Sequence, residues 1–425
     1  MDLAKGTRDF SCQEKILRDK VTNTITQVFA RYGYNPIETP IIERLETLTA
    51  KYGASDETDV AKEIYQLQDQ GGRKLGLRFD LTVPAARFVA MNPQLKMPFK
   101  RYQIGNVYRD GPIKLGRYRE FVQCDFDVFG CKALRADAEI LSVFFAVFKE
   151  LDTDVVIEVN NRKLLSELIK QSGVKEKDVE SVMITIDKID KLGKEAVSKE
   201  LAQKNISEDA TTKLLELFTI TGSNEEKLAV AQKLVSKDSE GLQELREVLM
   251  YEPRATINLG LARGLAYYTG TVFEGRIKDS TITSSVCAGG RYDTLIGTLL
   301  GNNKSVPAVG GSFGLEPITE YLKERAKGEP QGYPKTQTQA FVIPIKCYEQ
   351  ALPLVKKLRD AGVNTEIDLM ERGISKNLEY ANAQDIPYVI ILGQKELSEG
   401  VVKKKDMRSG EETTISPEQL IKELS

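Results

Sequence analysis

Apolar residues near the start recur at helical spacing. Leu17, Val21, Ile25, Val28, Phe29 and Tyr32 predict an amphipathic helix over roughly 12–32. Gly33 stops it, and YNPIETPII, with Pro36 and Pro40, enters an extended segment. Strand-like alternation follows. In LRFDLTV, Asp80 and Thr82 lie two apart, which on a strand puts both on one face. RYQIGNVYR (101–109) and RYREFVQCDFDVF (117–129) flank a polar loop with Gly111, Pro112 and Gly116, and read as a long antiparallel hairpin. In its second arm Val122, Cys124, Phe126 and Val128 form an apolar face, and Gln123, Asp125 and Asp127 the opposite, polar one. That polar row either lines something wet inside the protein or faces solvent.

Residues 175–250 change character: rich in Lys, Glu and Ser, helical, and poor in aromatics, they read as an inserted module. Strand character returns in TINLGLARGLAYYTGTVFEGRI (256–277), before the Gly-rich CAGGRYDTLIG (287–297) and VGGSFGLEP (309–317). KERAKGEPQGYPKTQT (323–338) has linker composition. Beyond it QAFVIPI, a helix at 348–361, VNTEIDL, a helix at about 374–384 and IPYVIILG alternate as βαβαβ, the pattern of a small parallel-sheet domain. No internal repeat is present.

Composition narrows the chemistry. A chain of 425 residues, 41% hydrophobic and 29% charged, is expected to form two or three globular domains. No apolar run reaches the roughly 18 residues of a membrane span, and MDLAKGTRDF lacks a secretory apolar core. The expected location is cytoplasmic, with no membrane partner. Five cysteines without a CxxC pair argue against disulfides and zinc, so no protein-held metal is expected. The chain contains no histidine, which excludes Ser-His-Asp and Cys-His catalysis and any histidine base. Its chemistry falls to carboxylates, arginines, tyrosines or the substrate. The net charge of −2 excludes a globally basic nucleic-acid binder but not local RNA-binding patches.

Several of these segments resemble one family. KGTRDF looks like the opening of histidyl-tRNA synthetases; GYNPIETPIIE (33–43) resembles class II motif 1, and the hairpin 101–129 resembles motif 2 with Arg109 as its arginine. LARGLAYYTGTVFE (261–274) and AGGRYD (288–293) resemble the two signatures peculiar to the histidine enzyme. QCDFDVFG and RFDLTVP are closer in flavour to archaeal and eukaryotic members. The fold implied is an α+β class II catalytic core, an antiparallel sheet flanked by helices, over 1–165 and 256–325. A helical insertion spans 170–255, a linker 326–339 and an α/β anticodon-binding domain 340–425.

The resemblance implies ligation of L-histidine to tRNA(His) through a histidyl-adenylate, with ATP and Mg2+ as co-substrate, no tightly bound cofactor, and a homodimer built around motif 1. Displacement at phosphorus needs positive charge and placement more than an acid or base, so a site without histidine suffices. By resemblance Arg109 and Arg263 are catalytic and flank the α-phosphate. Asp80, Thr82 and Gln123 receive the α-ammonium, while Asp127 and Tyr268, with Tyr267 nearby, take the imidazole. Arg119 and Arg291 join Arg109 and Arg263 in binding ATP.

Three positions depart from the pattern. Pro317 follows Glu316 where motif 3 carries an arginine, Gly111 follows Asp110 where motif 2 commonly carries an acid, and Ala266 replaces the aspartate of RGLDYY. The alternative function is a catalytically impaired, histidine-binding regulatory paralogue. Such subunits generally lack the C-terminal domain, whereas here LMERGISKNLEYANAQ and the basic VVKKKDMR (401–408) resemble it.

Overall fold

The computed structural model describes residues 1–50, 62–113, 116–262, 267–302, 304–327 and 333–425. They fall into two compact units, Met1–Arg8 with Lys20–Leu322, and Asp9–Asp19 with Lys323–Ser425.

The first unit is built on an eight-stranded sheet. A small sheet beside it takes strands β2 (Ile42–Arg44), β3 (Gln66–Gln68) and β4 (Lys74–Leu77) in the order β2-β4-β3. The large sheet is formed by β1 (Asn35–Pro36), β5 (Phe99–Tyr108), β6 (Glu120–Phe129), β7 (Val155–Asn161), β8 (Thr256–Ile257), β9 (Thr271–Ile277), β10 (Cys287–Arg291) and β11 (Ala308–Gly314). Its order is β1-β5-β6-β11-β10-β9-β7-β8. The central strands β5 to β7 in that order pair antiparallel throughout. The two-residue edge strands β1 and β8 pair parallel to their neighbours.

One face of this sheet is closed by the helix Arg135–Glu150, whose Ile140, Leu141, Val143, Phe144, Val147 and Phe148 are buried at helical spacing. Phe144 meets the rings of Phe313 at 5.0 Å and Phe126 at 5.4 Å. Phe29, from the helix Cys12–Arg31, meets Phe126 at 4.8 Å. Each such ring contributes about 1.5–3 kcal/mol by leaving water. Gly311 admits this packing, since a Cβ there would stand 2.5 Å from Phe144 Cζ.

The helices from Arg162 to Tyr251 belong to the same unit. Serines start several of them: Ser207 caps Ala210, Ser239 caps Leu242, and Ser223 forms a capping box with Glu226.

The LRFDLTV segment differs from the strand expected of it. Pairing ends at Leu77, and a helix runs from Thr82 to Met91. Asp80 Oδ1 accepts the Val83 amide at 3.0 Å, and Pro84 sits in the first turn, where a missing N–H leaves no bond unmade. Asp80 and Thr82 are therefore helix-entry residues rather than neighbours on a strand face.

In the second unit, β12 (Ala340–Pro344), β13 (Thr365–Ile367) and β14 (Tyr388–Leu392) pair in parallel around β12. The helices Tyr348–Asp360 and Ile374–Ala383 connect them. The basic run continues the sheet as β15 (Val402–Asp406), antiparallel to β14, and β16 (Glu412–Ile415) closes the edge. Among the described residues no helix is long and apolar enough to cross a membrane.

Candidate active site

Directly opposed residues of adjacent strands share a sheet face. On the face away from the aromatic core, Arg101, Asp127, Gly310, Gly290 and Val272 form one row across β5, β6, β11, β10 and β9. Gln103, Asp125, Ser312, Ala288 and Glu274 form the next, and Gly105, Gln123 and Gly314 a third. The polar row of β6 is thus interior and not a solvated side: Asp125 and Asp127 are 3% and 2% exposed.

Glycine makes the hollow. A Cβ at Gly310 would overlap Asp127 Oδ1, and one at Gly290 would stand 2.8 Å from the Tyr268 ring. The two Gly-Gly pairs read from sequence therefore leave space for a carboxylate and a phenol.

The charges in this hollow are unbalanced. Arg101 is fully buried, pairs with Asp127, and donates to the Leu81 carbonyl at 3.2 Å. Tyr292 donates its hydroxyl to Asp127 Oδ1. Burial raises the Asp125 carboxyl to about 7, Arg101 opposing and the Asp127 and Asp80 carboxylates adding to the rise. Burial raises Asp127 as well, against Arg101 and Tyr292. Tyr267 and Tyr292 are pushed up by burial, Tyr267 also by Tyr268 and Asp80.

The tyrosines cluster, with Tyr267 and Tyr268 hydroxyls 3.4 Å apart and the Tyr267 and Tyr292 rings edge-on at 5.9 Å. Gln123 Oε1, Asp125 Oδ1, and Nε and Nη1 of Arg101 are buried without a hydrogen-bond partner. Each orphaned group costs about 1–3 kcal/mol, so such a cluster marks where a polar ligand completes the bonding.

Around this face the structure brings together Asp80, Gln123, Asp127, Tyr267 and Tyr268, with Thr82 at the neighbouring helix entry. Arg109 ends the β5 arm, donates Nε to the Phe79 carbonyl at 2.9 Å, and lies over the Phe121 ring. Arg119 pairs with Asp110 at 2.9 Å. Arg263 and Ala266 lie outside the described residues.

Arg291 is not brought to the site. It faces Val309, which in turn faces Val128, so it belongs to the apolar side of the sheet. There its guanidinium binds both oxygens of Asp137, the Cys131 carbonyl at 3.1 Å and Asp293 at 3.2 Å. The ATP role expected of Arg291 is corrected accordingly: strand alternation turns it the other way.

Two departures acquire a physical setting. A Cβ at Gly111 would stand 2.6 Å from Glu63 Oε1, so a carboxylate from another segment fills the space an acid there would need. Pro317 packs on Gly314, while Glu316 is buried and accepts the Val122 amide at 3.2 Å. One turn on, Glu320 pairs with Arg8, which lies 4.3 Å over the Tyr118 ring.

Comparison with known proteins decides the family. The histidyl-tRNA synthetase family matches residues 6–318, and the anticodon-binding domain family residues 339–425. The chain belongs to the histidyl-tRNA synthetase family. It is 40% identical to "Histidine--tRNA ligase 1" of Bacillus cereus (strain ATCC 10987 / NRS 248), over 98% of this chain and 95% of that one. The crystal structure of the histidyl-tRNA synthetase from Nostoc sp. PCC 7120 superposes with a TM-score of 0.86 at 32% identity, covering 100% and 98% of the two chains. An "ATP phosphoribosyltransferase regulatory subunit/histidyl-tRNA synthetase" from Bacillus halodurans C shares the fold, with a TM-score of 0.75 at 20% identity over 92% and 98%. Histidine–tRNA ligase is the activity these relatives support, and the regulatory alternative is not favoured.

Within this synthetase fold, sequence reading missed Arg101, Asp125 and Tyr292. Tyr292 stands inside AGGRYD, one residue past the arginine chosen. Asp125 was visible in the polar row, and Arg101 stands opposite Asp127 across the hairpin.

Proposed function

We propose that the buried polar face of β5, β6 and β11 is the histidine pocket of a two-step ligase. In the first step a carboxylate oxygen of histidine attacks the α-phosphorus of ATP, and the bond to pyrophosphate breaks. In the second the terminal ribose hydroxyl of tRNA(His) attacks the acyl carbon, loses its proton, and AMP leaves. Asp127, with Tyr268 and Tyr267, receives the imidazole; Asp80, Thr82 and Gln123 receive the α-ammonium. Arg109 and Arg263 approach the α-phosphate, and Arg119 joins them on ATP, which enters with Mg2+ as co-substrate. A guanidinium suits this task because its fork meets two phosphate oxygens at once.

The observation that carries the reading is the row of buried acceptors. Asp125 and Gln123 hold unpartnered oxygens beside Asp127, on a face hollowed by glycine. A ligand with an ammonium and ring N–H donors satisfies such a surface, whereas an apolar isostere leaves it unpaired. The anticodon-binding domain supports tRNA(His) as partner. Exposed Ile41, Ile42 and Leu67, in and beside motif 1, support a homodimer interface. A cytoplasmic location accords with the substrates.

The deciding experiment is ATP–pyrophosphate exchange with the purified chain. Exchange is expected with histidine and to stay at background with the other amino acids. Background exchange with histidine alongside tight histidine binding would instead mean a regulator.

A further inference from the structure

We propose that Arg101 is a positioning residue for ring recognition: paired with Asp127 from the neighbouring strand, it holds that carboxylate turned into the pocket as the acceptor of an imidazole N–H. This rests on the reading of Asp127 as a pocket residue.

The geometry is a clamp on one side chain. Arg101 stands directly opposite Asp127 in the hairpin register, and Gly310 stands opposite on the other side. The Arg101 guanidinium cannot wander, because it is fully buried and its Nη2 also holds the Leu81 carbonyl at 3.2 Å. Tyr292 takes Asp127 Oδ1, Arg101 takes Oδ2, and Gly310 leaves no side chain to push the carboxylate aside. A carboxylate offers about four lone-pair directions, and Asp127 Oδ2, ion-paired with Arg101, accepts no hydrogen bond in the empty site, so acceptor capacity remains for a ligand.

The charge on that carboxylate matters as much as its direction. Burial disfavours a charged Asp127, and Asp80 at the helix entry disfavours it further. Arg101 is the cation opposing them. A protonated Asp127 would donate where the ring needs an acceptor. Arg101 thus acts through Asp127, without itself touching the reacting atoms.

The test uses the full chain with Arg101→Met, Arg101→Lys, Asp127→Asn and the Arg101→Met/Asp127→Asn double variant, each checked by thermal unfolding. In exchange assays Arg101→Met is expected to raise the KM for histidine about 10- to 100-fold, the loss of one charge-assisted acceptor. The kcat and the KM for ATP should stay within about two-fold, and Arg101→Lys should fall between wild type and Arg101→Met. The double variant should be no worse than Asp127→Asn, because the two residues serve one bond.

A spectroscopic signature is available because the chain contains no histidine, so ring-15N-labelled histidine is the only imidazole in the complex. Its ring N–H proton should be strongly deshielded when bound to wild type and shift back towards the free value in Arg101→Met. Should Arg101→Met fail to fold, Arg101→Lys carries the same KM and NMR comparison. An unchanged KM in Asp127→Asn overturns the pocket reading itself. A raised KM in Asp127→Asn with an unchanged KM and ring proton in the Arg101 variants, or fully multiplicative effects in the double variant, overturns the role of Arg101 alone.

Discussion

Replacing Arg291 by methionine separates a structural arginine from a nucleotide-binding one. The wild-type guanidinium is 4% exposed and makes bonds to Asp137, Cys131 and Asp293. Asp137 is fully buried, so methionine would strand an uncompensated carboxylate inside the core. Breaking a buried pair from one side costs about 3–5 kcal/mol. With about 2.1 cal/mol/K of unfolding entropy per residue over the roughly 300 residues of the first unit, that corresponds to a fall in Tm of about 5–8 °C. Thermal unfolding measures it directly. Pyrophosphate exchange well below the transition should show a KM for ATP within about two-fold of wild type. Replacing both partners, Asp137→Leu with Arg291→Met, should recover much of the stability, since apolar residues of similar volume tolerate such a site. A variant with wild-type Tm and a sharply raised KM for ATP would refute the argument and return Arg291 to the nucleotide.

Asp125 should impose a pH slope on stability. Its carboxyl titrates near 7 when folded and near 3.8 when unfolded, so its contribution is fully present below about 4 and is lost as pH rises through about 7. Asp125→Asn should therefore gain on wild type between pH 5 and pH 8, by about 2–3 kcal/mol, in the ligand-free protein; parallel unfolding curves at the two pH values would count against it. Arg263→Lys should lower kcat in exchange by about 2–4 kcal/mol of transition-state binding, with little rise in the KM for histidine. A folded variant with nearly full turnover would retire Arg263. Sedimentation at micromolar concentration should report a dimer, and a monomer would remove motif 1 from that role.

Long periodic segments were legible. The hairpin arms expected at 101–109 and 117–129 are Phe99–Tyr108 and Glu120–Phe129, and the first helix ends within a residue of its expected place. The sheet differs only at its edges, where two-residue parallel strands are too short to leave a pattern. The LRFDLTV segment misled because strand alternation and a helix entry look alike over seven residues. The better signal there was an aspartate three residues before a valine amide, followed by a proline.

The face of Arg291 was illegible for a different reason. CAGGR has two glycines and an alanine, which carry almost no hydropathy, so its alternation has no visible phase. Only the register against β11 sets it, and that pairing is a tertiary fact. Tyr292, the next residue, turns to the other side and reaches Asp127.

The pocket places a strand with two buried faces where most proteins would leave one face wet. On one side β6 contributes Cys124, Phe126 and Val128 to the aromatic core. On the other it commits Gln123, Asp125 and Asp127 to a surface that the buried guanidinium groups of Arg101 and Arg78 face. The unpartnered oxygens of Gln123 and Asp125 destabilise the empty site, and a ligand that satisfies them must bring donors. Selectivity then follows from what the empty site lacks: a side chain of histidine's size without ring N–H groups would fill the volume and leave the acceptors unpaired. The absence of histidine from the chain sharpens the division. In the proposed site carboxylates, phenols, guanidinium groups, the Gln123 amide and the Thr82 hydroxyl make up the protein's part of the recognition, and any imidazole there would be the substrate's own.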